Sequence, residues 1–266
     1  MLLFLREAPV DSPGIHPEDF LMPRRDGRND DELRPVTIVP GFAKNCAGSV
    51  LYTCGGTTVL VTAQIADAVP PFLEGKGEGW LTAEYAMLPG CAPSRIPRRT
   101  DGRATEIQRL IGRSLRAIVD RRALGPCTIH VDCDVVNADG GTRTAAVTGA
   151  HVAVALGLRK RFGAEHAATI LKDSIAAVSV GIVEGRPVLD LDYSEDSRAE
   201  VDANVVRLGS GGLVEVQSTG EGGVFTRPQL TALLDLAEAG IDRLAAIQRE
   251  AIEGAAGDLE SSDRRS

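Results

Sequence analysis

The chain has 266 residues, 43% of them apolar and 25% charged, and a formal net charge of −8. That composition suits one large or two small globular domains with a real core, and it excludes a protein drawn to polyanions by overall charge alone. Five cysteines, an odd number with no CxxC pair, exclude a disulfide framework and a structural zinc site.

Residues 1–22 carry three prolines and little periodicity, and are expected to form a flexible N-terminal arm. The opening MLLFL is too short for the apolar core of a signal peptide, and no run approaches membrane-spanning length. A reducing cytoplasm is the expected location. SVLYTC-GG-TTVLVTAQI (49–65) reads as two strands around a Gly-Gly turn. ATEIQRLIGRSLRAIVDRRAL (104–124) reads as a helix, with Ile107, Leu110, Ile111, Leu115, Ile118 and Val119 on one apolar stripe. CTIHVDCDVV (127–136) alternates as a strand. Thr144 to about Arg161 is a mostly apolar, hence buried, helix.

A second half repeats the pattern in kind. AAVSVGIV-EG-RPVLDLDY (176–193) and NVVRL-GSGG-LVEVQST (204–219) read as hairpins. TRPQLTALLDLAEAGIDRLAAIQREAI (226–252) reads as a long helix with Thr226 as N-cap and Pro228 in the first turn. The tail 254–266 is expected to be disordered. Hairpins interleaved with single helices imply a mixed α/β, α+β-like fold with largely antiparallel pairing. The expected division is into halves 23–170 and 171–253.

Three clusters offer chemistry. In NADGGTRTA (137–145), two glycines let the backbone turn, and the residues after them expose N–H groups at a helix N-terminus. Thr142 adds a hydroxyl and Arg143 a planar cation, so the stretch suits phosphate as well as an ordinary capped turn. It is not a P-loop, because GxxxxGK[ST] is missing. In VLDLDYSEDSRAEVDAN (188–204), Asp190 and Asp192 would share a strand face, followed by Glu195, Asp196, Glu200 and Asp202. So many acids at one strand end suit either a solvated rim or a seat for a hard divalent cation. In SRIPRRTDGRATEIQRLIGRSLR (94–116), Arg109, Arg113 and Arg116 fall on one helix face, readable as a solvated face or a subunit contact. The loop residues Arg95, Arg98 and Arg99 are expected to touch a nucleic-acid backbone. Together the clusters suggest phosphoryl chemistry on RNA or a nucleotide. Arg143, Arg103 and a cation on Asp190 and Asp196 would quench the repulsion between two approaching phosphate anions.

RRDGRNDDELRPV (24–36), GWLTAEYAMLP (79–89), DGRATEIQRLIGRSLRA, DCDVVNADGGTRTA (132–145) and VLDLDYSEDSRAEVDANVV resemble the bacterial ribonuclease PH family from about Arg24 to about Ile252. The resemblance implies two βαβα-type halves. It also implies a phosphate-dependent 3′→5′ exoribonuclease that trims tRNA precursors, releases nucleoside diphosphates and runs in reverse as nucleotide addition. On it, Arg103, Gly141, Thr142 and Arg143 bind inorganic phosphate, the co-substrate. Asp190 and Asp196 serve catalysis and hold Mg2+ or Mn2+. The family assembles as a homohexamer, a trimer of dimers. Gly90 stands where the family has Arg, and the loop CAPSRIPRRT is shorter than usual, so the tRNA contact departs from the pattern. An alternative is an exosome-like ring subunit that binds RNA without catalysis.

Overall fold

In the computed structural model of the chain, residues 24–98 and 101–263 are described, with side chains to 255. The N-terminal arm, Arg99 and the last three residues lie outside them. Two sheets carry the fold. The first comprises β1 (Val36–Pro40), β2 (Gly48–Cys54), β3 (Thr57–Ala66), β4 (Trp80–Met87) and β5 (Thr128–Asn137), in the order β1-β2-β3-β5-β4. The Gly55–Gly56 turn joins β2 and β3, with Cys54 facing Thr57. Among the described residues only β4 and β5 pair in parallel, and the connection between them carries α1 (Gly102–Arg116) and α2 (Arg121–Leu124). That crossover is what a parallel pair requires.

The second sheet orders β6 (Ile175–Val183), β7 (Arg186–Leu189), β8 (Val201–Leu208) and β9 (Leu213–Gly220) as β7-β6-β8-β9, all antiparallel. Helix α3 (Thr142–Phe162) packs on β2 and β3 and also on β6. Its apolar residues run all round, which is the signature of a helix buried between layers. A short α4 (Ala164–Ile170) follows it, and α5 (Tyr193–Asp196) links the second sheet's β7 to β8. Helix α6 (Arg227–Asp263) covers the other side of the second sheet. Every residue of β6 is consequently buried.

The expected apolar stripe is fully internal, from Ile107 to Val119, but the helix expected over 104–124 breaks after Arg116, and Ile118 and Val119 lie between α1 and α2, where Val119 bridges Leu171. Thr226 caps α6 reciprocally with Gln229, whose side chain accepts from the Thr226 amide at 2.8 Å. Two further expectations change. Helix α6 continues through Gly254 to Asp263, where a disordered tail was expected. Gly254 and Gly257 each cost only about 1 kcal/mol in a helix, and no proline follows to stop it. Strand β7 also ends at Leu189, and Asp190 takes a left-handed φ of 54°. Asp190 and Asp192 therefore do not share a strand face.

No helix among the described residues is long and apolar enough to cross a membrane. All five cysteines are unpaired, and all but Cys46 are buried.

Candidate active site

A cavity of about 780 Å³ opens where α1, α3, α5 and β8 converge. Arg103 reaches it from the first turn of α1, which Asp101 caps by accepting from the Ala104 amide at 2.8 Å. Gly140, Gly141, Thr142 and Arg143 line it from the start of α3, Asp196 from the end of α5, and Asp202 and Asn204 from β8.

Gly140 and Gly141 take φ values of 73° and 63°. L side chains avoid that region, so the tandem glycines are required for the turn. Gly141 is the N-cap residue of α3 and offers no side chain. The first amides of the helix are left for a ligand, where the helix dipole also favours an anion. A Cβ on Gly140 would lie 2.6 Å from the Leu191 carbonyl oxygen and 2.9 Å from the Tyr193 nitrogen. The glycine turn and the acidic loop are thus in contact.

Thr142 shares a 2.8 Å hydrogen bond with the buried Tyr85 hydroxyl. Arg143 donates to the Gln217 side-chain carbonyl at 2.6 Å and lies 3.8 Å from Glu106, which Gln217 also bonds. Glu106 is more than half exposed, so that ion pair orients Arg143 without neutralising it.

The acidic cluster separates into roles. Arg34 grips both carboxylate oxygens of Asp190, with Nε to Oδ2 at 3.0 Å and Nη2 to Oδ1 at 2.7 Å, and its amide adds a third bond at 2.8 Å. Asp190 is 4% exposed. Burial opposes its ionisation, but the Arg34 hydrogen bonds and charge outweigh that and hold its carboxyl below the usual range. Asp190 lines a small crevice with Arg34 and Cys54, separate from the large cavity. Asp192 and Glu195 form the capping box of α5. Arg24 holds Glu195, with Nε to Oε1 at 2.7 Å, and donates to the Leu189 carbonyl at 2.7 Å. Arg28 donates to the Asp190 carbonyl at 3.1 Å. The glutamate Glu200 accepts from the Gly185 amide at 2.9 Å.

What remains for the cavity is Asp196 and Asp202, with Glu221 at the rim. Burial raises the Asp196 carboxyl, offset in part by Arg103 and Arg143. Burial and then the neighbouring Asp196 push Asp202 up to about 6. Two half-buried carboxylates whose burial opposes ionisation, one of them also raised by the other's charge, fit a divalent cation, which would relieve both. No group of three or more His, Cys, Asp or Glu side chains suited to a metal occurs among the described residues, so such a cation would keep waters or substrate oxygens as its other ligands.

The structure therefore brings together Arg103, Gly141, Thr142, Arg143 and Asp196, and leaves Asp190 behind the wall. Asp202, named in the acidic cluster of the sequence but not singled out there as a ligand, joins Asp196 in the cavity. Its signal was available: on β8, Asp202 and Asn204 alternate toward one face. Among the loop arginines, Arg98 lines an adjoining cavity of about 380 Å³ near Asp134, Arg95 is exposed outside both cavities, and Arg99 lies outside the described residues. On α1, Arg113 pairs with Glu215, and Arg116 lies 4.8 Å over the Trp80 ring.

The family model for domain 1 of the 3′ exoribonuclease family matches residues 32–157, and the model for its domain 2 matches residues 173–240. A protein named ribonuclease PH from Mycobacterium sp. (strain KMS) is 56% identical over 237 residues, covering 86% of this chain and 91% of that one. Another of that name, from Syntrophomonas wolfei, is 51% identical over 234 residues, covering 86% and 98%. Among solved structures, rice Rrp46 aligns with a TM-score of 0.72 at 19% identity, over 86% of this chain and all of that one. A chain of the Archaeoglobus fulgidus exosome with RNA bound to the active site aligns with a TM-score of 0.72 at 22% identity, over 85% and 92%. The likeness to these two structures is one of fold.

Proposed function

Because the chain belongs to the 3′ exoribonuclease family, we propose that its large cavity is where orthophosphate meets the 3′ end of an RNA. The protein is a phosphate-dependent 3′→5′ exoribonuclease, a tRNA nucleotidyltransferase that trims the 3′ ends of tRNA precursors. An oxygen of hydrogen phosphate attacks the terminal phosphorus, and the bond to the preceding 3′ oxygen breaks. That oxygen ends with the proton, and a nucleoside 5′-diphosphate leaves. The linkage broken and the anhydride formed are close in energy, so the reaction runs in both directions.

The difficulty is the meeting of two anions. Unit charges ~4 Å apart repel by about 4 kcal/mol at an effective dielectric near 20. Arg143, Arg103, the Thr142 hydroxyl and the uncapped amides of α3 hold the attacking phosphate and spread its charge. Asp196 and Asp202 would hold Mg2+ or Mn2+. Bound there, the cation supplies positive charge to the oxygens of the reacting phosphates. Asp190 acts through Arg34, which also donates to the Asp139 carbonyl just before the glycine turn. In this reading Asp190 is a positioning residue and Asp202 takes the ligand role first expected of it. Arg95 and Arg98 contact the RNA upstream. Assembly is as a homohexamer, a trimer of dimers, and the location is the cytoplasm, whose reducing conditions suit five unpaired cysteines.

The observation that carries this reading is that two arginines, a glycine turn at a helix start and a carboxylate pair line one cavity. A ring subunit that binds RNA without catalysis is the weaker reading, since the relatives above half identity are named ribonuclease PH. Short RNA incubated with phosphate and Mg2+ should yield nucleoside diphosphates. Monophosphates alone would overturn the assignment.

A further inference from the structure

The cavity is far larger than orthophosphate needs, and its lining is not only charged. Its remaining rim carries Met87, Pro93, Ile96 and the ring of Tyr193. Tyr193 is 62% exposed, the most exposed aromatic side chain among the described residues. Its side chain makes no hydrogen bond or ring contact among them, so the fold does not explain it. Its backbone is nonetheless tightly placed. The Tyr193 amide donates to Asp139 Oδ1 at 3.3 Å, its carbonyl accepts from Ser197 at 3.0 Å, and its nitrogen lies against Gly140. The ring is thus mounted between the glycine turn and Asp196, three residues on.

We propose that the Tyr193 ring is the platform on which the 3′-terminal nucleobase stacks, setting the last phosphodiester against the phosphate held at Arg143. The inference rests on the exoribonuclease reading above and adds to it the part of the substrate that is gripped. An RNA trimmed one nucleotide at a time presents every base in turn. A stacking surface suits that, because all four bases have a π-face, whereas hydrogen-bonded readout would reject three of them. The apolar Met87 and Ile96 line the same cavity and offer apolar surface to a base stacked there.

The test compares a short RNA with an abasic 3′-terminal residue against the same RNA with its base, on wild type, Tyr193→Phe and Tyr193→Ala. Wild type should lose roughly 5- to 100-fold in kcat/KM for RNA on the abasic substrate, the range expected for one base–aromatic stack. Tyr193→Ala should lose a similar factor on the base-bearing RNA, show no further loss on the abasic one, and keep its KM for phosphate. Tyr193→Phe should behave as wild type. Equal abasic penalties in wild type and Tyr193→Ala would overturn the platform, as would a Tyr193→Ala rate matching wild type on base-bearing RNA. Diphosphate release by wild type from base-bearing RNA checks the exoribonuclease reading separately, so the two failures are distinguishable.

Discussion

Arg34 and Asp190, 156 residues apart, form a buried pair in which both carboxylate oxygens are occupied. Asp190 lines the small crevice beside Arg34 and not the large cavity. Asp190→Ala would leave Arg34 charged and unpaired in the interior, a change that costs about 3–5 kcal/mol in comparable buried pairs. The expected result is a melting temperature lower by many degrees. An unchanged melting temperature would return Asp190 to the list of cavity residues.

Asp196→Asn should behave oppositely. Its carboxylate is only partly buried and has no ion-pair partner among the described residues. The protein should fold with an unchanged melting temperature, and turnover should fall by at least about 100-fold, as on loss of one fixed electrostatic contact in other enzymes. The Mg2+ concentration for half-maximal rate should rise in Asp202→Asn as well. A normal metal requirement in both variants would remove the pair from the cation site.

Arg143→Ala removes a guanidinium that Gln217 and Glu106 hold toward the α3 N-terminus. The KM for phosphate should rise about 10- to 100-fold, the scale of one charge-assisted bond, while RNA affinity persists. Steady-state kinetics with phosphate varied, alongside RNA binding without phosphate, would separate the two. Equal loss of both would mark Arg143 as structural.

His151 provides a stability prediction in acid. It is fully buried on α3, and burial lowers its pKa from 6.5 to about 4. Between these values the unfolded chain binds a proton that the folded one refuses. The stability supplied by the neutral ring is therefore present above pH 6.5 and lost as pH falls toward 4, with a slope of up to about 1.4 kcal/mol per pH unit. Thermal melts of wild type and His151→Gln between pH 7 and 4.5 should diverge, with the variant less sensitive. Parallel curves would show that another group dominates.

Much of this was legible in the chain. The apolar stripe of α1 and the all-round apolar run of α3 are local patterns, and the structure buries both, although the helix carrying the first stops at Arg116 instead of running to Leu124. The glycine turn was legible because only left-handed backbone needs two glycines before a helix. The sorting of the acids was not. Asp190, Asp192, Glu195, Asp196 and Asp202 are chemically alike in sequence, and what separates them is distant. Arg34 takes Asp190 and Arg24 takes Glu195, while Asp192 turns inward on its own helix start. Only the two without such a partner face the cavity.

Arg24, Arg28 and Arg34 precede the first sheet in the chain, yet their side chains end on Leu189, the last residue of β7 in the second, and on Asp190 and Glu195 just beyond it. Each half thus keeps part of the other's scaffolding. Expressing residues 173–240 by themselves would yield a sheet whose acidic loop has lost its braces, and trimming the chain past Arg24 would loosen Asp196 from some 170 residues away. A working nuclease cannot be assembled by swapping one half for a relative's unless these three arginines travel with the loop they support.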